Sequence, residues 1–147
     1  MSPKKHRLLL AEDHEDTREL LTFVLTQANY EVAASPSVRR ALELTKGQKF
    51  DVMIIDSRLK DGSGLELCRA IRKYDDVTPI MFYSALASEN DKQDALQAGA
   101  QHYLDKPVDI PLLVEKLGKL LPVSKRTTAR VRGARKDAGG LKPAFRV

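Results

Sequence analysis

The chain has 147 residues, 42% of them hydrophobic and 31% charged, which fits one ordinary globular domain with a buried core and little room for a second. No apolar run approaches the ~18–20 residues of a membrane span. The run Leu8-Leu9-Leu10-Ala11 behind the basic start is too short for a signal peptide, and the lone Cys68 excludes an internal disulfide, so a cytoplasmic location is expected. The formal charge of +5 divides unevenly: residues 1–121 carry 17 Lys+Arg against 19 Asp+Glu, whereas residues 122–147 carry 8 against 1. Any attraction to nucleic acid therefore belongs to the tail alone.

In chain order, residues 7–11 form a nearly continuous apolar run, the pattern of a strand buried on both faces. Residues 17–27 follow with Leu20, Leu21, Val24 and Leu25 at helical spacing, and Asp16 is placed to cap them. Residues 31–34 read as a second strand. Ser35-Pro36 then opens a helix, since proline suits the first helical position, with Ala41, Leu42 and Leu44 on its inner side. Residues 52–55 are the third and most apolar strand. Gly62-Ser63-Gly64 breaks the chain before a helix carrying Leu65, Cys68 and Ile71, where Cys68 is core filler. Residues 79–83 are a fourth strand, followed by a polar helix over 88–98 that ends at Gly99. Residues 102–104 make a short fifth strand. Asp109 caps a last helix reaching Leu121, with Leu112, Leu113, Leu117, Leu120 and Leu121 on its apolar side and Pro122 as its stop. Five strands alternating with five helices predict an α/β fold, a mostly parallel sheet with helices on both faces.

Ligands of such sheets bind beyond the carboxyl ends of the strands. There the first strand leads to Glu12-Asp13, the third to Asp56, the fourth to Ser84 and the fifth to Lys106-Pro107. Taken singly, each has an ordinary role as a helix cap, turn residue or surface charge. Taken together on one sheet edge, they form a reaction centre. Crowded carboxylates repel one another unless a cation sits among them, and an all-oxygen set favours a hard ion such as Mg²⁺. A carboxylate can act as a nucleophile toward phosphorus, a lysine supplies a point charge for a phosphate oxygen, and a serine hydroxyl donates to another.

The ordered set resembles the receiver domain of two-component response regulators over about residues 5–121. It is carried by Leu8-Leu9-Leu10-Ala11-Glu12-Asp13 with Arg18 beyond, and by Phe50-Asp51-Val52-Met53-Ile54-Ile55-Asp56 followed by Gly62 and Gly64. It continues in Pro79-Ile80-Met81-Phe82-Tyr83-Ser84-Ala85 and in Ala98-Gly99-Ala100-Gln101-His102-Tyr103-Leu104-Asp105-Lys106-Pro107. The resemblance implies a flavodoxin-like (βα)5 doubly wound sheet of strand order 2-1-3-4-5. It implies Asp56 as phospho-acceptor, and Mg²⁺ held by Glu12, Asp13, Asp56 and the backbone carbonyl of Arg58. Ser84 would be the hydroxyl that moves to the phosphoryl group, Tyr103 the aromatic whose rotation reports that movement, and Lys106 the phosphate's counter-charge ahead of a cis bond to Pro107. A histidine kinase or histidine phosphotransfer protein is the implied donor. The fourth helix, fifth strand and fifth helix form the implied face for a downstream protein or a second copy. The implied activity is a signalling switch with slow self-dephosphorylation rather than a metabolic enzyme.

The sequence departs from the family where Lys60 replaces the usual proline four residues after the acceptor, which predicts a less rigid and more charged stretch over 60–64. Arg58 and Leu86 flank the acceptor and the serine in sequence, and their bulk predicts a shielded, fairly long-lived phosphoryl group. Phosphatases of the haloacid-dehalogenase type also use an aspartate after a buried strand, but they need a second carboxylate two residues on, where this chain has Arg58. His6, His14 and His102 lack partners at metal-ligand spacing, and His14 is expected to face solvent near the first helix. Residues 122–147 are broken by Gly133, Gly139 and Gly140 and lack a recognition-helix pattern. They are expected to be a disordered basic tail, with salt-dependent attachment to nucleic acid as the alternative function.

Overall fold

The computed structural model describes residues 4–85, 88–107 and 109–121. The tail expected over 122–147, and Leu86, lie outside them. The elements run β1 (His6–Ala11), α1 (Glu15–Gln27), β2 (Tyr30–Ser35), α2 (Val38–Gly47), β3 (Val52–Ile55), β4 (Arg58–Leu59), β5 (Gly62–Ser63), α3 (Gly64–Arg72), β6 (Ile80–Ala85), α4 (Glu89–Ala98), β7 (His102–Lys106) and α5 (Ile110–Leu120). Five strands form one parallel sheet in the order β2-β1-β3-β6-β7. This is the flavodoxin-like order expected above; β6 and β7 stand in the fourth and fifth places because a two-strand hairpin, β4–β5, intervenes.

Side-chain alternation along the strands builds two core layers. Leu9, Ala11, Met53, Ile55, Ile80 and Phe82 pack on one face with Ala41 of α2, Leu67, Cys68 and Ile71 of α3, and Ala95 and Ala98 of α4. Leu8, Leu10, Val52, Ile54, Met81 and Tyr83 pack on the other with Leu21 and Leu25 of α1 and Leu113 and Leu117 of α5. Both faces are covered, which is why the central strands read as unbroken apolar runs. At the sheet end away from the carboxyl termini, the Arg72 guanidinium donates to the carbonyls of Asp75, Thr78 and Gly99 and to the Gln101 amide oxygen, tying two loops together.

Several local expectations change. The N-cap of α1 is His14, whose Nδ1 accepts from the Thr17 amide at 3.3 Å, while Asp16 lies inside the first turn. Pro36 precedes the cap rather than entering the helix: Ser37 caps α2 by accepting from the Arg40 amide at 3.1 Å. Leu20 is 53% exposed and Leu112 37% exposed, although both sit at apolar spacing. Each adjoins a leucine that takes the inward position instead, Leu21 and Leu113, both buried. Ser63 and Ser88 open α3 and α4 with reciprocal capping boxes to Glu66 and Asp91. Gly99 ends α4 at φ +116°, a conformation that glycine adopts without strain.

Candidate functional site

The pairing of β1 with β3 creates the site. Ala11 is in register with Ile55, and the Asp56 amide donates to the Ala11 carbonyl at 2.9 Å, so the chain leaves both strands side by side with Glu12 beside Asp56. Carboxylate oxygens of Glu12, Asp13 and Asp56 lie within 4.8 Å of one another. Glu12 is 1% exposed and Asp56 8%, so the acids occupy a recess rather than an open surface. From α1, Arg18 Nη1 donates to the Glu12 carbonyl at 2.9 Å and the Asp13 carbonyl at 3.3 Å, fixing the backbone of the acidic pair. The sequence pattern included Arg18, but this job depends on a fold-back that sequence does not display.

Lys106, from the edge strand β7, reaches past β6 to place Nζ 2.9 Å from Glu12 Oε1 and 3.2 Å from Asp56 Oδ2. Its ammonium also lies 5.5 Å from the centre of the Tyr83 ring. Burial pushes the Glu12 carboxyl above its ordinary range, and Asp56 adds to this against the opposing pull of Lys106. Burial alone would lower the Lys106 pKa, but the hydrogen bond and charge of Glu12 and the charge of Asp56 outweigh it and raise it. The Lys106–Pro107 bond is cis, as the resemblance implied.

Ser84 is 5% exposed and sits on β6 two positions beyond Phe82, the last residue paired with β3, which brings it to the same sheet end. Tyr103 is in register with Phe82, and their rings stack at 5.6 Å with 12° between planes. The Tyr103 hydroxyl is hydrogen-bonded to Ser57 Oγ at 3.1 Å, while the Ser57 amide donates to Asp56 Oδ1 at 2.6 Å. Ser57 thus touches both the expected acceptor and the expected switch residue. Sequence reasoning passed it over, because a lone serine after a strand carries no signal.

The stretch after the acceptor, expected to be less rigid and more charged for the loss of proline, folds as a short hairpin. Arg58 pairs with Ser63 and Leu59 with Gly62, and the Gly64 amide donates to the Ser57 carbonyl at 2.8 Å. The Lys60 amide, which a proline would lack, donates to the Pro36 carbonyl at 3.0 Å. Asp61 accepts from the Val38 amide at 2.6 Å and the Arg39 amide at 3.1 Å. Arg58 is exposed on β4.

Among the described residues, Glu12, Asp13 and Asp56 are the group whose ligand atoms converge; His6, His14 and His102 take no part. An all-oxygen set with a buried glutamate whose charge is disfavoured suits a hard divalent ion and is a poor match for a thiol-seeking one. The residues fit Mg²⁺.

Residues 8–118 match the family described as the response regulator receiver domain. The chain is 41% identical to the transcriptional regulatory protein YrkP of Bacillus subtilis over 102 residues, 69% of this chain and 43% of that protein. It is 35% identical to the KDP operon transcriptional regulatory protein KdpE of Escherichia coli over 122 residues, 83% of this chain and 54% of that protein. The chain therefore spans about half the length of these curated relatives, or less. Chemotaxis protein CheY4 of Vibrio cholerae superposes with a TM-score of 0.74 at 29% identity, over 80% of this chain and 99% of that one.

Proposed function

Because the chain belongs to the response regulator receiver domain family, we propose that it works as a single-domain response regulator, in which Asp56 takes a phosphoryl group from a phosphohistidine donor with Mg²⁺ and a protein partner reads the result. The observation that carries this reading is the acidic trio within 4.8 Å, bridged by Lys106 at 2.9 and 3.2 Å. An Asp56 oxygen forms the new P–O bond as the P–N bond to the donor histidine breaks, and the imidazole leaves with the electron pair. Glu12, Asp13 and Asp56, with the Arg58 carbonyl, would hold the metal, which supplies charge neutralisation at the phosphoryl oxygens. Lys106 is already beside Asp56 and offers a cation to a phosphoryl oxygen. The Ser57 amide orients Asp56 from the other side.

The new charge meets Lys106 already in place and draws the Ser84 hydroxyl toward it, and Tyr103, bonded to Ser57 beside the acceptor, responds by shifting its rotamer, biasing a two-state equilibrium. The readout face is α4, β7 and α5, where a partner or a second copy docks. A histidine kinase or a histidine phosphotransfer protein is the donor, and the chain's own activity is limited to slow loss of the phosphoryl group, with exposed Arg58 screening water. Among the described residues no helix is long and apolar enough to cross a membrane. A second reading, attachment to nucleic acid through the tail, is favoured by the 8 basic residues against 1 acidic over 122–147; it predicts DNA binding that falls steeply with salt and vanishes on tail removal.

The test is Mg²⁺-dependent labelling by acetyl phosphate, read by intact mass. A single phosphoryl addition that disappears in Asp56→Asn is expected. No addition to wild type, from acetyl phosphate or from phosphorylated kinases, would overturn the assignment.

A further inference from the structure

The two loops that carry the acidic trio are each bonded to a third segment, the β2–α2 junction. From one side, the Glu12 amide donates to the Ser35 carbonyl at 2.9 Å. From the other, the Lys60 amide donates to the Pro36 carbonyl at 3.0 Å, and the two Asp61 carboxylate oxygens accept from the Val38 and Arg39 amides at 2.6 and 3.1 Å. The junction is itself braced: Ser35 is fully buried, its hydroxyl donates to the Ser37 carbonyl at 2.9 Å and accepts from the Ser37 amide at 3.1 Å. The acceptor hairpin is closed at its base by the Gly64 amide on the Ser57 carbonyl, so its tip cannot move without disturbing the residue next to Asp56.

We infer that Asp61 is a positioning residue that fastens the acceptor hairpin to the first turn of α2 and, through Ser35, sets the spacing of Asp56 from Glu12 and Asp13. Its effect on cation binding rests on the reading of the trio as a Mg²⁺ site. Two amides at a helix start hold a carboxylate more firmly than a neutral acceptor, because the bonds are charge-assisted and aligned with the helix dipole. The same two amides hold the Asp61 carboxyl below its ordinary range. Ser37 satisfies only the Arg40 amide, so the Val38 and Arg39 amides at the start of α2 find their acceptor on the acceptor hairpin rather than within the helix's own cap.

The experiment compares wild type, Asp61→Ala, Asp61→Asn and Ser37→Ala as full chains. Mg²⁺ affinity is measured by calorimetry, and amide shifts and exchange are followed by NMR in metal-free protein. Ser37→Ala removes a cap from the same helix without touching the hairpin. Asp61→Ala is expected to weaken Mg²⁺ binding by about tenfold, the low end for partners that orient metal ligands. It is also expected to speed exchange at Val38 and Arg39 and to shift the Glu12, Asp56 and Ser57 amides. Asp61→Asn should fall between, and Ser37→Ala should bind Mg²⁺ within about twofold of wild type. Wild-type affinity in Asp61→Ala, or an equal loss in Ser37→Ala, would overturn the inference. If wild type itself fails to bind Mg²⁺, the metal reading falls. The metal-free shifts then decide the inference alone: movement at Glu12 and Asp56 in Asp61→Ala but not in Ser37→Ala upholds it, and no movement ends it.

Discussion

Gly64 offers a severe test of how closely the acceptor is packed. A methyl group built on it would lie 2.2 Å from the backbone oxygen of Asp56, 2.9 Å from Ile55 Cγ2 and 3.0 Å from Phe82 Cε2. Relaxed carbon–oxygen contacts lie at about 3.3 Å or more, so Gly64→Ala requires a displacement of roughly 1 Å. The obstacle is main chain, which cannot swing away as a side-chain tip can, and the other two contacts close the alternative directions. Overpacking of this kind costs about 1–3 kcal/mol, or about 2–10 °C in Tm for a chain of this size. Because the group displaced is the acceptor's own carbonyl, the labelling rate with acetyl phosphate should also fall, by about 10- to 100-fold for a misplacement near 1 Å. Gly47→Ala is the control: nothing lies within 4 Å of the added methyl, and alanine favours the helix by about 0.5–1 kcal/mol. Thermal denaturation followed by circular dichroism, with labelling at fixed Mg²⁺, reads both quantities. A Gly64→Ala protein that melts with wild type and labels at the same rate would refute the steric argument.

Three further outcomes are expected. Lys106→Met leaves Glu12 and Asp56 without the cation between them; with Lys106 and both acids largely buried, stability should drop by about 2–4 kcal/mol in metal-free buffer and by less with Mg²⁺, as paired urea titrations will show. Burial raises the Glu12 pKa above its unfolded value near 4.5, so stability from this group is fully present below that value and is lost as pH rises through the raised one. Metal-free denaturation across this window should show the decline in wild type, and Glu12→Gln should flatten it; an unchanged slope would contradict the assignment to Glu12. Ser57→Ala removes one hydroxyl bond to Tyr103, worth about 0.5–1.5 kcal/mol, and should shift the ring's conformational populations by about two- to tenfold in fluorotyrosine NMR.

Much of the fold is legible in the residues alone, and for a clear reason. The apolar runs at β1, β3 and β6 are buried on both faces, so their pattern needs no partner to be recognised. The acids, serine and lysine of the candidate site fall at strand ends, and parallel order carries them to one edge. The errors lie where a local signal has two solutions. Leu20 and Leu21 both suit an apolar stripe, and only packing against the sheet chose Leu21. Asp16 and His14 both stand near the start of α1, and the entry direction of the chain chose His14 as the cap.

The sequence by itself determined the alternation of elements, the strand-end chemistry and the family, because these rest on residue type and spacing along the chain. Tertiary structure alone decided which groups touch. It brought Lys106 within reach of Glu12, 94 positions away, and it joined Ser57 to Tyr103. It also paired the stretch around Lys60 into a hairpin and bonded it to α2 through Asp61. Contacts of this kind depend on strand register and on side-chain direction, both of which are set when the sheet and helices pack together and neither of which is written in any local stretch of residues.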